Sequence, residues 1–527
     1  MNDAPSLVSA TATVRSKRSD YLSIVATDLA TILRERAKRF YPDPKLVSEA
    51  VQKLKLAGFT VTYVGRYGLG LLASKELYER IFKVDLIEVE KKAKNGEGKR
   101  LYYAIAGDGK QKGVIDTASS ELNDLLDGVI LGMPVTMLGA DPPQKEKEWY
   151  VTPLEIPEKL GLPPALIGTR PKTSDVKIVV IDSGFDSDHP FFKIKEFEKA
   201  QYTVTEAENL MAVIGHYGKI VPGQNLIADR KKEELVKIQY YADYSGHGTM
   251  VISNLLPIAP DANLIVLKES FDNYNGMAPA FNEAMGYDPS VINCSFTLDV
   301  DTEDGYERCR NVIKEFAFAV MDAIQEKRVT VVFSCGNYDE DLPKAISSYT
   351  WIPGAIQVGG AYYAENNQLA ASDNTHGFPK GHKFFDTSPV PDVCGLDGPR
   401  SEIKGSTYVP LSRSEDWATS GGSSLAAGQV SGVCALIKAI CPIATPENIR
   451  EILIRTATQI TDMESKTAHG YKLSEIKLRV GGDELSPGLV NINKARITAE
   501  LYNLLKADND NATVKEAVNF AQARGLF

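Results

Sequence analysis

The chain has 527 residues, 43% of them hydrophobic and 24% charged, the proportions of a globular protein and not of a disordered one. That length supplies a core without help from disulfides or metals, and it suggests two to four domains or one large catalytic domain with attachments. With 59 basic against 69 acidic residues the formal net charge is −10, which argues against a broad basic surface and so against nucleic acid as a partner.

In chain order, Met1 to Asp20 are polar, carry Arg15, Lys17 and Arg18, and lack the apolar stretch of a secretory signal; residues 1–19 are expected to be a flexible tail. No run of 18 apolar residues exists, so no membrane span is expected, and a cytoplasmic location is the default, with export lacking a cleaved signal left open. Residues 20–135 read as a small mixed unit. Tyr21–Ala26 is a strand candidate. A helix is capped by Asp43, has Pro44 in its first position and stops at Gly58. Phe59–Val64 and Leu69–Ala73 follow as strands, then a helix capped by Ser74 with Leu77, Tyr78, Ile81 and Phe82 on one side. Leu86–Val89 and Leu101–Ile105 are expected to pair around Asn95-Gly96. Strand, helix, two strands, helix, strand is the order of a ferredoxin-like α+β domain. It gathers no catalytic residue types, which points to a structural or regulatory task.

A connector rich in proline and charge, residues 136–170, leads to a long stretch where short apolar strands alternate with helices. That alternation predicts an α/β domain, a mostly parallel sheet with helices on both faces, over 171–500, with 501–527 as a helical C-terminal extension. The six cysteines, Cys294, Cys309, Cys335, Cys394, Cys434 and Cys441, form no CxxC pair, and several lie in apolar runs. They read as free, buried thiols of a reducing compartment.

Three segments carry chemistry. Val176 to Ile181 is an apolar strand ending in Asp182-Ser183-Gly184, and the carboxyl ends of parallel strands are where active-site groups gather. Ser245-Gly246-His247-Gly248-Thr249 opens a helix, and an imidazole there serves as a general base once a carboxylate orients it. Ser420-Gly421-Gly422-Ser423-Ser424 opens a long apolar helix whose N–H groups suit a developing oxyanion. Taken singly, each has an ordinary alternative: a turn-forming Asp, a metal-binding or capping His, a Ser N-cap. The order Asp, His, Ser along the chain narrows them jointly.

Together these motifs resemble the subtilisin-like serine peptidases, the subtilases. Asp182 through Pro190 resembles the family's Asp motif, whose His189 is not catalytic; Gly246-His247-Gly248-Thr249 resembles its His motif, and Gly422-Ser423-Ser424-Leu425-Ala426 its Ser motif. Val291–Ser295, Val329–Asn337, Pro353–Ala361 and Pro487–Asn491 resemble further family segments, so the likeness spans roughly residues 150–500. It implies a subtilisin-like fold and a serine endopeptidase acting on polypeptides. Asp182, His247 and Ser424 would form the triad, with an oxyanion hole from Asn337 and the Ser424 N–H. Ser295, Phe296, Thr297 and Gly336 would bind substrate. No cofactor would be needed for the chemistry; structural calcium is common among such proteins, yet no ligand set is assigned in this chain. Four departures stand out: Ser423 replaces threonine, Gly428 replaces proline, Phe296-Thr297 replace small residues, and a separation of 65 residues between Asp182 and His247 implies an insertion near 195–240.

The first unit resembles the prodomains of subtilases and sedolisins through Ala57–Val61 and Leu71–Tyr78, which implies a zymogen whose N-terminal domain covers the catalytic face and acts as an intramolecular inhibitor. Acidic residues at 299, 301, 303, 304 and 339–341 suggest a preference for basic peptides, against a plainer reading as solvated surface. Two alternatives stay open: a dedicated maturation protease with one partner substrate, and a catalytically dormant binding protein of the same fold.

Overall fold

The computed structural model describes residues 7–32, 34–35, 37–92, 99–107, 113–133, 151–206, 243, 245–269, 277–300, 303–338, 346–347, 349, 352–364, 366–380, 389–399, 407–410 and 417–527. Two sheets organise it. The first begins with β1 (Leu7–Val14), inside the segment expected to be a flexible tail. Its residues alternate apolar or small with Ser and Thr, and β-branched threonine favours a strand although it counts as polar. Between Asp3 and Arg15 the sequence carries no charge. By contrast Tyr21–Ala26 forms turns, not a strand.

Next come α1 (Pro44–Ala57), β2 (Thr60–Val64), β3 (Leu69–Ser74) and α2 (Lys75–Phe82). The caps are those the sequence signals: Asp43 accepts from Lys45 N at 2.9 Å, Gly58 closes α1 at φ 108°, and Ser74 accepts from Leu77 N at 3.3 Å. β4 (Leu86–Lys92) and β5 (Lys99–Ile105) pair antiparallel in the expected register, Leu86 opposite Ile105, but as a separate hairpin. The Asn95-Gly96 turn lies outside the described residues. After β6 (Val114–Ile115), the strand that completes the unit is β7 (Leu126–Leu131). The sheet order β2-β3-β1-β7-β6 contains the ferredoxin-like arrangement, with β1 and β7 as its central and closing strands in place of 21–26 and 101–105.

The second sheet has eight strands: β8 (Lys177–Asp182), β9 (Gln201–Glu206), β10 (Asn263–Lys268), β11 (Val291–Cys294), then, after the short β12 (Asp299–Val300), β13 (Thr330–Ser334), and, after β14 (Ile346–Ser347), β15 (Ile356–Tyr363), β16 (Leu369–Ala371) and β17 (Val393–Leu396). The order is β16-β15-β13-β11-β8-β10-β9, with β17 also on β15; only β16 runs antiparallel. Side chains alternate between two cores, as a period of two requires. Val179 and Ile181 of β8 face α4 (Met277–Gly286) and α6 (Lys314–Gln325, which follows α5, Glu303–Val312). Ile178 and Val180 face α3 (His247–Leu255), α7 (Ser423–Ile440) and α8 (Pro446–Thr456). α7 is long and apolar enough to cross a membrane, but its residues are mostly buried inside this core.

Two expected boundaries shift. Val151, Ile156, Leu160 and Leu162, placed in the connector, belong to the second core. The extension expected from 501 starts inside α9 (Ile492–Asp508), and α9 and α10 (Val514–Ala523) bury Ala499, Tyr502, Val514 and Ala517 in that same core. The expected insertion near 195–240 lies mostly outside the described residues, as do the acidic side chains at 299, 301, 303, 304 and 339–341.

Candidate active site

The ends of β8, β11 and β13 and the starts of α3 and α7 bring the sequence-derived residues together. Asp182, fully buried, ends β8, and its Oδ1 also accepts from Ser183 N at 2.8 Å. His247 opens α3, and its Nδ1 lies 2.8 Å from the same Oδ1. With the proton on Nδ1 donated to the carboxylate, Nε2 carries the lone pair. Burial by itself would lower the imidazole pKa; the charge and hydrogen bond of Asp182, with Asp243 adding its charge, outweigh burial and raise it above the ordinary histidine value.

Asp243 was not singled out in the sequence. It is buried and accepts from Gly246 N (2.8 Å), Thr249 N (2.7 Å), Thr249 Oγ1 (2.6 Å) and Ser183 Oγ (2.7 Å). It ties the start of α3 to the turn after Asp182, and Ser183 Oγ completes the link by accepting from Gly248 N at 3.1 Å. The available signal was an acidic residue four positions before His247. Gly248 is obligatory here, because a Cβ would sit 2.0 Å from the Gly184 carbonyl oxygen.

Ser424 lies in the first turn of α7. Its hydroxyl donates to Ser295 O at 3.1 Å, and Ser295 Oγ donates back to Ser424 O at 3.0 Å. The structure therefore joins Asp182 to His247, and Ser424 to the end of β11, but it does not hydrogen-bond Ser424 to His247; among the described residues Nε2 has no hydrogen-bond partner. Helix approach sets where α3 and α7 start. A Cβ on Gly428 would lie 2.6 Å from Val251 O of α3, so glycine at this position lets the two backbones touch where the resemblance expects proline.

Asn337 follows β13. Its Oδ1 accepts from Ser423 N (2.7 Å) and Ser423 Oγ (3.1 Å), which leaves its amide N–H groups as the available donors. Ser423 Oγ also lies 3.1 Å from Gly336 N and 3.0 Å from Gly336 O, so serine in place of threonine still pins this loop to the turn that opens α7. Phe296 is buried against Phe316 and Tyr349, and Thr297 Oγ1 donates to Ser347 Oγ. His189 accepts from Phe191 N at 3.2 Å and packs on Trp417, a capping job. All six cysteines are buried and free; burial drives the Cys335 thiol far above its usual range, and Cys335 Sγ donates to His376 O at 3.0 Å, the setting of an inert thiol. Among the described residues no group of three or more His, Cys, Asp or Glu side chains could hold a metal ion, so no calcium ligands are assigned.

A parallel sheet with these residues at its carboxyl edge defines a subtilisin-like serine peptidase. The profile of the subtilase family matches residues 173–472, more than half of the sequence, and the chain belongs to that family. No curated protein sequence matches it. Among solved structures it is similar to the epidermin leader peptide processing serine protease EpiP of Staphylococcus aureus, with TM-score 0.53 at 13% identity over 96% of this chain and 100% of that one. A mutant form of EpiP gives TM-score 0.55 at 13% identity over 93% and 99%. Fervidolysin of Fervidobacterium pennivorans, a keratinolytic enzyme related to subtilisin, gives TM-score 0.49 at 15% identity; the alignment covers 94% of this chain and 62% of the length of fervidolysin.

Proposed function

We propose that the chain is an endopeptidase that cuts polypeptides through Asp182, His247 and Ser424. The observation that carries the reading is the buried 2.8 Å contact between His247 Nδ1 and Asp182, which leaves Nε2 as a base beside the helix that presents Ser424. In the reaction the Ser424 hydroxyl turns from Ser295 O to Nε2, gives up its proton and attacks the carbonyl carbon, forming an ester as the amine leaves with that proton. The Asn337 amide and the Ser424 N–H stabilise the tetrahedral oxyanion. Water then attacks the ester by the reverse path. Ser424→Ala is expected to reduce cleavage of an unfolded polypeptide on the order of 10⁶-fold while the fold persists. Retained hydrolysis would exclude Ser424 as nucleophile, and an inactive wild-type protein would favour the dormant reading.

The N-terminal unit is proposed as intramolecular inhibitor and folding aid. It is supported by the ferredoxin-like sheet and by the docking of that sheet on α6, where Tyr63 donates to Glu315, Arg66 pairs with Asp322, and Tyr41 OH donates to Asp322 Oδ1 at 2.8 Å. Deleting residues 1–135 should impair folding of the remainder or release activity; unchanged folding and activity would refute the role. A dedicated maturation protease that cuts a single partner polypeptide is the alternative to broad degradation. A proteome-wide cleavage screen separates the two. No cofactor enters the proposed chemistry, and a cytoplasmic site of action is the accompanying proposal.

A further inference from the structure

Asp397, one residue beyond β17, is a buried carboxylate outside the sequence motifs, and it bonds to segments that lie beside both halves of the proposed oxyanion hole. Its Oδ1 accepts from Gly422 N–H, the N-cap residue of α7, two positions before Ser424. Its Oδ2 accepts from Ser372 Oγ at 2.8 Å and from Asn374 Nδ2 at 3.4 Å. Asn374 in turn accepts Tyr338 N through its carbonyl at 2.7 Å, and Thr375 bridges Asn337 across the backbone. His376 N donates to Gly336 O at 3.0 Å. The 372–376 segment is thus a second rail that holds Gly336 and Asn337, and Asp397 joins that rail to the glycine turn ahead of Ser424.

The carboxylate is itself held rigidly. The Asp397 backbone N–H donates to Ala361 O at 2.9 Å, and the strand beside it approaches so closely that a Cβ on Gly360 would lie 2.6 Å from Asp397 Cβ. Ser372 Oγ is also 2.7 Å from Gly398 O and accepts from Asn374 N at 3.2 Å, so the polar groups form a closed network. A buried charged group with several donors around it is well suited to fix loops that would otherwise drift. Burial pushes its carboxyl up to about 6, against the Gly422, Ser372 and Asn374 hydrogen bonds that pull it down.

We infer that Asp397 is a positioning residue that sets the spacing between the Asn337 amide and the Ser424 N–H, and so tunes stabilisation of the oxyanion without touching substrate. The inference rests on the proposed roles of Ser424 and Asn337. A donor displaced by about 1 Å costs on the order of 10²-fold in rate, so the second anchor matters for chemistry more than for binding.

The test uses the full chain with p-nitrophenyl acetate as substrate, phenylboronic acid as an anionic tetrahedral mimic of the intermediate, and Ser424→Ala as blank. Asp397→Ala is expected to lower kcat about 10- to 100-fold with KM within about threefold, and to weaken phenylboronic acid by a matching factor. Asp397→Asn, which keeps an acceptor for Gly422 N–H, is expected to recover most of both. Should Asp397→Ala fail to fold, Ser372→Ala decides, with a parallel loss of several-fold in kcat and boronate affinity expected. Unchanged kcat in the folded variants, or a fall in kcat with boronate affinity untouched, would overturn the positioning role. Wild-type protein no faster than Ser424→Ala would instead overturn the peptidase reading on which it rests.

Discussion

At the residue scale, the chemistry depends on which charges surround one imidazole. Asp182 raises the His247 pKa against the opposing pull of burial, so the proposed base is neutral, and competent, only above that raised value. Activity is therefore expected to fall as pH drops through it. Asp182→Asn removes the charge that holds the pKa up, and the His247 titration, followed by NMR, is expected to move to lower pH while turnover falls on the order of 10⁴-fold. An unchanged or higher titration point would contradict the assignment. Asp182, His247 and Ser424 could be proposed from the sequence because recognisable motifs carry them. Asp243 and Asp397 could not, since each acts through contacts made only when distant segments meet: Ser183 is 60 positions from Asp243, and Gly422 is 25 from Asp397.

At the element scale, two helices that each carry a proposed catalytic residue in the first turn pack backbone to backbone. Gly428 meets Val251 O, and Gly432, one turn on, meets Leu255 O, where a Cβ would lie 2.9 Å away. Neither oxygen belongs to a flexible side chain that could step aside. Gly428→Ala is expected to destabilise the protein by about 1–3 kcal/mol, read from a denaturant midpoint, and to lower activity in the folded fraction by shifting α7. A variant with wild-type stability and rate would show that the contact is not needed. Strand and helix order in this half followed from apolar runs such as Val176–Ile181 and from the glycine-flanked helix starts at His247 and Ser424. In the N-terminal half, Leu7–Val14 was missed because its threonines and serine dilute the apolar signal, and Tyr21–Ala26 was misread because its apolar side chains Leu22, Ile24 and Val25 pack against the domain interface without joining a sheet.

At the scale of the whole molecule, one apolar core crosses the boundary between the two sheets. Leu7, Ile24, Phe40 and Tyr67 pack with Phe316 and Phe318 of α6, the Phe40 and Phe318 rings at 4.0 Å. Inside this seam Glu315 accepts from Tyr63, and burial pushes its carboxyl from an ordinary 4.5 up to about 7, against the hydrogen bonds from Tyr63 and Thr11 that lower it. The folded state thus holds a proton that the unfolded chain releases near 4.5. The contribution is fully present in acid, falls as pH rises above 4.5, and is lost once pH passes about 7. Glu315→Gln is expected to flatten this decline in the denaturant midpoint between pH 5 and about 8; an unchanged slope would remove Glu315 as its source. This seam was not legible in the sequence, where a lone Glu on an apolar helix looks like any exposed charge.

The claim beneath all of this is that His247 activates the hydroxyl of Ser424, and mapping by mass spectrometry of a fluorophosphonate adduct addresses it most directly. The account expects a single phosphonylated residue, Ser424, formed rapidly in the wild-type protein and slowed by orders of magnitude in His247→Ala. An adduct elsewhere, no adduct at all, or equal rates with and without the imidazole would contradict it.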